Sequence, residues 1–400
     1  MIIRILSSVF VVGLLLAGLA SPVIAQTRRG VAATTRQSLL AKLPASDAVA
    51  QVNVKRVLAE ALPKLLAGNS ARLAEVDSHI EQFKTRTSLD LRSFDEIALG
   101  MRYSYPKSSY PSLQVGMSES EALATLGAPD KKNSMTHANG RNEYWRYEGK
   151  KLSLTFSNGR LAAIHEEGDA GITKIHTVVV ARGAFNTGAI AAAGTAGAVG
   201  KYREEKYLGK TIYIFTLDQQ VKIMGLLDLK IRELAVTPID ANTLALGDVE
   251  RVRNAVAASR DRRRPNAELS ALATQDPNAI VGFAGNVTAE LLQNLRIGNE
   301  AIAKDVAAVR QAYGSLALTE KDLEMLVAAR TVDAGSARSL GDTVEGLKQF
   351  GALFTNRLSG IRGILARSAL GNLKITTQGN EIKIRTAVAQ SDVAPLVGGL

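Results

Sequence analysis

The chain has 400 residues, a net charge of +11 and a hydrophobic content of 46%, and it contains no cysteine. The absence of cysteine excludes disulfides, thiolate metal sites and the lipidated cysteine of bacterial lipoproteins. The hydrophobic content is that of a globular protein and argues against extensive disorder. The basic residues are spread along the chain and aromatic residues make up only 5% of it, so we expect no nucleic-acid binding. A weak attraction to anionic envelope surfaces is compatible with the charge.

The first 25 residues have the features of an export signal. Arg4 supplies a positive charge, Ile5–Leu19 is mostly apolar, and Val23–Ala25 ends in a small residue of the kind that signal peptidases cut behind. We therefore predict cleavage after Ala25 and a periplasmic or secreted protein that is not anchored through a lipidated cysteine. An uncleaved membrane anchor is the alternative, since the apolar stretch approaches the roughly 20 residues of a spanning helix.

The next segments predict a leader followed by an ordered α+β region. Residues 26–42 are predicted to be a flexible leader, because the segment Gln26–Gln37 is polar and basic. A strand at Ala48–Val54 precedes two helical patterns, and a second strand follows at Ile97–Tyr103. The β-branched run Ile175–Ala181 predicts a further strand of the same region after an interruption.

The interruption contains a helix, a strand and a β-hairpin in close succession. Ser118 and Glu121 have the spacing of a capping box at a helix start. Gly127, followed closely by Pro129, is typical of a helix end. The dipeptide Asn158-Gly159 lies between two alternating strands and suits a type I′ turn, in which both central residues have positive φ.

This succession resembles the BamE-like (SmpA/OmlA) lipoprotein domain, a small periplasmic α+β module. The family pattern runs G-M-x-x-x-x-(V/L)-x-x-x-L-G-x-P, then an aromatic W-x-Y strand, then a strand that ends in a turn with glycine. The resemblance covers residues 113–165 and implies a binding or scaffolding role rather than catalysis. The chain departs from the family in lacking the lipidated cysteine. The matching residues are Gly116, Met117, Ser118, Glu121, Leu126, Gly127, Pro129, Trp145, Tyr147, Asn158 and Gly159.

The aromatic strand predicts which surface of this module binds a partner. Alternation places Trp145 and Tyr147 on one face of the strand and Tyr144 and Arg146 on the other. We expect the only tryptophan of the chain to be mostly buried under the helix. Tyr144 and Arg146 are then the candidate interaction surface, and the face that carries Trp145 is the alternative.

The region around the module is predicted to be duplicated. The stretch Pro44–Val54 is echoed by Pro277–Val287, and a hairpin followed by a short helix is predicted at 234–257 and again at 373–396. We therefore predict an α+β fold of two repeated antiparallel-sheet-plus-helix halves, with helices on one face and a small BamE-like helix/three-strand module inserted in the first half. This arrangement resembles a family of secreted bacterial proteins with an L-P-A-D-like start, which implies a fold and no particular activity. The predicted organisation is a signal peptide at 1–25, a leader at 26–42, a first α+β domain at 43–105 and 172–265, the inserted module at 106–171 and a second α+β domain at 266–400.

No linear motif for catalysis or for cofactor or metal binding is present. His79, His137, His165 and His176 do not have the spacing of a helical zinc site, and the glycine-rich run 183–200 lacks the spacing of a phosphate loop. We therefore predict no catalytic, cofactor or metal site. The predicted function is an exported, non-enzymatic binding or scaffolding protein of the bacterial cell envelope, whose BamE-like module binds other envelope proteins. The alternatives are a carrier of a lipid or hydrophobic ligand and a secreted enzyme whose site no linear motif reveals.

Overall fold

The structure, a computed structural model, describes residues 38–392 except 88–89, 105–109, 111, 115, 138–139, 167–173, 185–186, 189–201, 224–226, 262–264, 289–290, 293–299 and 356–359. The predicted signal peptide and most of the predicted leader lie outside the described residues. The end of the leader is ordered, because Leu39 and Leu40 form a short 3₁₀ turn and are fully buried in the core. None of the helices within the described ranges is both long and apolar enough to cross a membrane.

Helices and strands are both abundant, which confirms the predicted α+β class. The first helix, α1, passes through Val54–Arg56, Val57–Ala61 and Leu62–Leu65, and its hydrogen bonding changes from π to α just before Pro63, which has no N–H to donate. The other helices are α2 (Ser70–Thr87), α3 (Glu119–Leu126), α4 (Val249–Arg260), α5 (Ala267–Ala273), α6 (Glu300–Ala307), α7 (Ala334–Thr355) and α8 (Gly360–Gly371). The strands are β1 (Ala48–Val52), β2 (Phe94–Ser104), β3 (Lys131–His137), β4 (Gly140–Tyr147), β5 (Leu152–Ser157), β6 (Arg160–Glu166), β7 (Lys174–Gly183), β8 (Tyr202–Tyr207), β9 (Lys210–Ile223), β10 (Leu227–Asp240), β11 (Thr243–Gly247), β12 (Ala279–Asn286), β13 (Val309–Leu318), β14 (Asp322–Thr331), β15 (Lys374–Gln378) and β16 (Glu381–Ala389).

Twelve of the strands form one sheet, in the order β15-β16-β14-β13-β12-β1-β2-β7-β11-β10-β9-β8. The order is repeated on the two sides of the β1–β12 pair. From this centre outward, the first half contributes β1, β2, β7, β11 and β10, and the second half contributes β12, β13, β14, β16 and β15 in corresponding positions. The first half adds β9 and β8 at its outer edge. The predicted halves therefore occupy the two sides of a single sheet, joined where β1 and β12 pair antiparallel.

The central strands are buried on both faces, so the prediction of helices on one face is wrong. Val178, Val179 and Val180 are consecutive and at most 4% exposed, which requires cover on each side of β7. One face carries α4 and α5, whose buried residues join the largest apolar cluster. The opposite face carries α1 against β1 and α7 against β16.

By their contacts the described residues divide into two compact units. The smaller unit comprises Tyr103–Ile175 together with Thr288–Gly298, and the larger comprises the other described residues. The predicted boundary between 265 and 266 lies inside the larger unit, because both halves share its sheet and its main apolar cluster.

The smaller unit has a four-stranded antiparallel sheet in the order β3-β4-β5-β6, with α3 on one face. The sequence predicts only three of these strands. It misses β3, whose residues Lys131–His137 are mostly polar and do not alternate with apolar ones. Such a composition is common in edge strands, which bury little of either face.

Candidate functional site

The helix and the turn that carry the BamE-like resemblance have the predicted local geometry. The Ser118 Oγ accepts the Glu121 N–H at 3.3 Å, and the Ser118 N–H donates to the Glu121 carboxylate at 2.7 Å, which forms the capping box. The second hydrogen bond also stabilises the ionised carboxylate and lowers the pKa of Glu121. Asn158 and Gly159 both have positive φ, at 51° and 75°, as a type I′ turn requires.

The end of α3 is attached to the sheet by a side chain of the aromatic strand. Gly127 has a φ of 81° at the helix end, and Pro129 lies two residues further on. The Tyr147 hydroxyl donates to the Gly127 carbonyl at 2.9 Å. Burial of this phenol raises the pKa of Tyr147 and so favours the neutral, donating form.

The face of the small sheet below α3 forms a closed apolar core. Trp145 and Tyr147 are 1% and 2% exposed, and the Trp145 ring lies 4.4 Å from that of Phe156. Met117 and Leu126 pack at the margin of this cluster. The alternative that the Trp145 face is a binding surface is therefore wrong, because this face is filled by the module itself.

A charged residue that was not predicted from the sequence, Glu143, lies in this core and is 1% exposed. The Trp145 indole N–H donates to its carboxylate at 2.8 Å, the Lys132 ammonium lies 2.7 Å from the same oxygen, and Arg141 donates to the other oxygen. The alternation of side chains along β4 could have indicated its burial, since Glu143 lies two residues before Trp145 and therefore on the same inward face.

The other face of the small sheet exposes the predicted surface residues. Tyr144 is 44% exposed, and Arg146 is exposed two residues further along β4. The strand register places Asn133 opposite Tyr144 and Lys131 opposite Arg146. Met135, which is 53% exposed, follows Asn133 on the same face and is a diagonal neighbour of Tyr144. The face thus combines two apolar side chains with cationic ones.

The two edges of the small sheet differ. The edge at β6 is occupied, because Leu161 exchanges hydrogen bonds of 2.7 Å with Gly116 and Met117, and Ser118 forms a bridge with Arg160. At the other edge, β3 pairs within the described chain only with β4. The seven residues of β3 leave one row of backbone N–H and C=O groups for another strand.

The described residues provide no metal centre. His79, His137, His165 and His176 lie on four different elements, α2, β3, β6 and β7. No group of three or more histidine and carboxylate side chains in the described ranges is arranged to hold a metal ion.

No family model matches the sequence, and no curated protein matches it. Among solved structures, crystal form III of TP0453 matches with a TM-score of 0.36 and 9% identity, over 92% of this chain and 99% of that chain. Crystal form IV of TP0453 matches with a TM-score of 0.35 and 8% identity, over 90% and 96% of the two chains. Crystal form I of TP0453 matches with a TM-score of 0.34 and 8% identity, over 91% of this chain and 98% of that chain.

Proposed function

We propose that the chain is an exported, non-enzymatic binding protein of the bacterial cell envelope, and that the open face of its small sheet binds a partner protein. The observation that carries this proposal is the exposure of Tyr144 and Met135 side by side on a face that α3 does not cover. Arg146 and Lys131, which forms an ion pair with Glu148, lie on the same face beside Tyr144, so the partner is expected to present acidic side chains next to an apolar contact.

The composition of this face is that of a binding surface. Tyrosine and arginine are, with tryptophan, the residues most enriched among those that dominate the free energy of protein association, because they bury a large area and still form hydrogen bonds. Tyr144 and Arg146 supply both residue types on neighbouring positions of β4. The adjoining edge strand β3 can add main-chain hydrogen bonds to an extended partner segment.

Two properties of the sequence support the cellular setting of the proposal. The first 25 residues have the pattern of an export signal, and residues 113–165 resemble a module of envelope lipoproteins. The absence of a cysteine leaves attachment to other envelope components to noncovalent contacts.

Site-specific photo-crosslinking in the bacterium that makes this protein tests the proposal. A photoreactive amino acid at position 144 should form a discrete product with a partner protein, and Arg146→Glu should weaken that product several-fold. Ala124 on α3 is an exposed control position of the same unit, and a crosslinker there should not form the product. The same product from position 124, or no response to Arg146→Glu, would contradict the proposal.

A second candidate function is attachment to an anionic membrane surface, and a specific apolar surface favours it. Leu347, Phe350 and Leu353 lie three residues apart along α7 and are 50%, 61% and 66% exposed. Ile364 on α8 is also 50% exposed. An apolar helix face of this kind can enter the boundary between lipid headgroups and acyl chains, and the net charge of +11 favours anionic lipids.

Vesicle flotation tests this second candidate. The full chain should float with vesicles that contain anionic lipid and not with purely zwitterionic ones. The double variant Phe350→Ser/Leu353→Ser should lose flotation, whereas Leu208→Ser should retain it, since Leu208 is 44% exposed in the β8–β9 turn, far from α7 in sequence. Flotation that is unchanged in the double variant would exclude this face as the attachment site.

A further inference from the structure

A groove of about 650 Å³ runs along one side of α4 in the larger unit. Small and apolar residues, among them Pro44, Ala257 and Ala258, contribute to its lining. Arg102 and Arg251 line it as well. This volume is in the range of sites that bind small organic molecules.

Arg251 has the properties of a buried cation that lacks a counter-ion. It is 3% exposed, and its guanidinium donates to the Ala45 carbonyl at 2.7 Å and to the Ser46 hydroxyl at 2.6 Å. Its Nε is buried without a hydrogen-bond partner, and none of the ion pairs among the described residues includes Arg251. Burial of a guanidinium is unfavourable when its only partners are neutral acceptors, so the site favours an anion.

The surrounding charges do not remove this imbalance. Asp47, Asp248 and Glu250 favour the charged form of Arg251 from a distance, but burial and the like charge of Arg102 oppose them and lower the pKa of Arg251. Arg102 is itself exposed and forms no hydrogen bond or ion pair within the part of the chain that the structure describes.

We propose that this groove binds a small organic anion whose carboxylate or phosphate group lies between Arg102 and Arg251. Guanidinium groups bind both oxyanions through paired N–H donors, and Arg102 can turn toward the ligand because no described residue holds it. Asp261 lines another part of the groove and repels anions, so the charged group belongs at the arginines. The apolar part of the ligand lies along Ala257 and Ala258. This inference concerns the larger unit and is independent of the proposed partner surface.

Calorimetric titration of the full chain with defined probes tests the inference. Octanoate and octyl phosphate represent the two headgroups with an apolar body, octanol is the uncharged control, and inorganic phosphate is the headgroup alone. We expect saturable binding of one octanoate or octyl phosphate per chain and at least tenfold weaker binding of octanol and of inorganic phosphate. Equal binding of octanol would overturn the role of the arginines, and equal binding of inorganic phosphate would overturn the role of the apolar lining.

Two variants locate the site. Arg102→Gln should weaken octanoate binding about tenfold, the usual effect of losing one charge-assisted contact. It should leave folding unchanged because Arg102 has no partner to lose within the described chain. Arg260→Gln makes the same charge change on the same helix, but Arg260 lies beside Gly209 and does not line the groove. The Arg260→Gln variant should bind octanoate with the same affinity as the unmodified chain. Equal weakening by both variants, or no binding by the unmodified chain, would overturn the proposal.

Discussion

Replacement of the buried carboxylate of the small unit offers a direct test of how this unit is held together. Glu143 is enclosed by Trp145, Lys132 and Arg141, and it accepts the indole N–H at 2.8 Å. Glu143→Leu removes that acceptor while filling most of the volume with apolar atoms. Glu143→Gln keeps an oxygen for the indole and removes only the charge. The pair of variants therefore separates the hydrogen bond from the ion pairs.

The indole hydrogen bond should dominate the loss of stability. An N–H that is left buried and unpaired costs about 1–3 kcal/mol. The ion pairs count for less, because the Lys132 and Arg141 side chains are 42% and 56% exposed and stay hydrated. Exposed ion pairs contribute about 0–1 kcal/mol each, and removing a buried carboxylate offsets part of that. We expect a loss of about 2 kcal/mol for Glu143→Leu and under about 1 kcal/mol for Glu143→Gln.

The single tryptophan of the chain makes this measurable in the full-length protein. Trp145 lies in the small unit and is 1% exposed, so its emission reports the unfolding of that unit alone. With a denaturant dependence of about 1–2 kcal/mol per molar urea for a small unit, Glu143→Leu should lower the urea midpoint by about 1–2 M. The main unfolding transition in far-ultraviolet circular dichroism, to which the larger unit contributes most, should keep its midpoint. Equal midpoints for the Leu and Gln variants would refute the assignment of the stability to the indole hydrogen bond.

The remaining predictions concern a turn, a helix cap, a close packing contact and the insertion of the small unit. Gly159→Val should destabilise the small unit by about 1–3 kcal/mol, since the turn requires positive φ there, and the tryptophan emission midpoint should fall accordingly. Ser118→Ala should cost about 1 kcal/mol through loss of the helix cap, measured in the same way. Gly282→Ala should unfold or distort the larger unit, seen by circular dichroism, because the added Cβ would clash with the Ala273 carbonyl oxygen. Replacing 106–171 by a short flexible linker should leave the larger unit folded, because β2 and β7 are neighbours in its sheet.

The sequence is most informative where structure depends on neighbouring residues. The cap at Ser118 and the turn at Asn158-Gly159 depend on hydrogen bonds and φ angles within a few residues, and both have the predicted geometry. Strand β7 is predicted from its β-branched residues, and both β2 and β7 form where expected. Their place side by side in one sheet could be predicted only through the idea of an insertion, because about seventy residues separate them.

Features that depend on contacts between residues far apart in the sequence could not be predicted from local patterns. Strand β3 has no apolar pattern of its own and is held by its register with β4. One face of β7 packs in a cluster with Val252 and Ala255 of α4, which lies about seventy residues further along the chain, so the unbroken run of buried valines is the local sign of cover on both faces.

The groove of the larger unit shows why an unpaired charge is more informative than a motif. Ala45, Arg102 and Arg251 are far apart in the sequence, and none of them belongs to a recognisable pattern. The guanidinium of Arg251 is nevertheless buried with neutral oxygens as its hydrogen-bond partners, which is unfavourable unless the position has a further role. If Arg251 served only to donate a hydrogen bond to the Ala45 carbonyl, a neutral amide donor could replace it with little loss of stability. The test is the Arg251→Gln variant. If it folds but no longer binds the anion, the charge of Arg251 serves anion binding and not only the structure of the chain at this position.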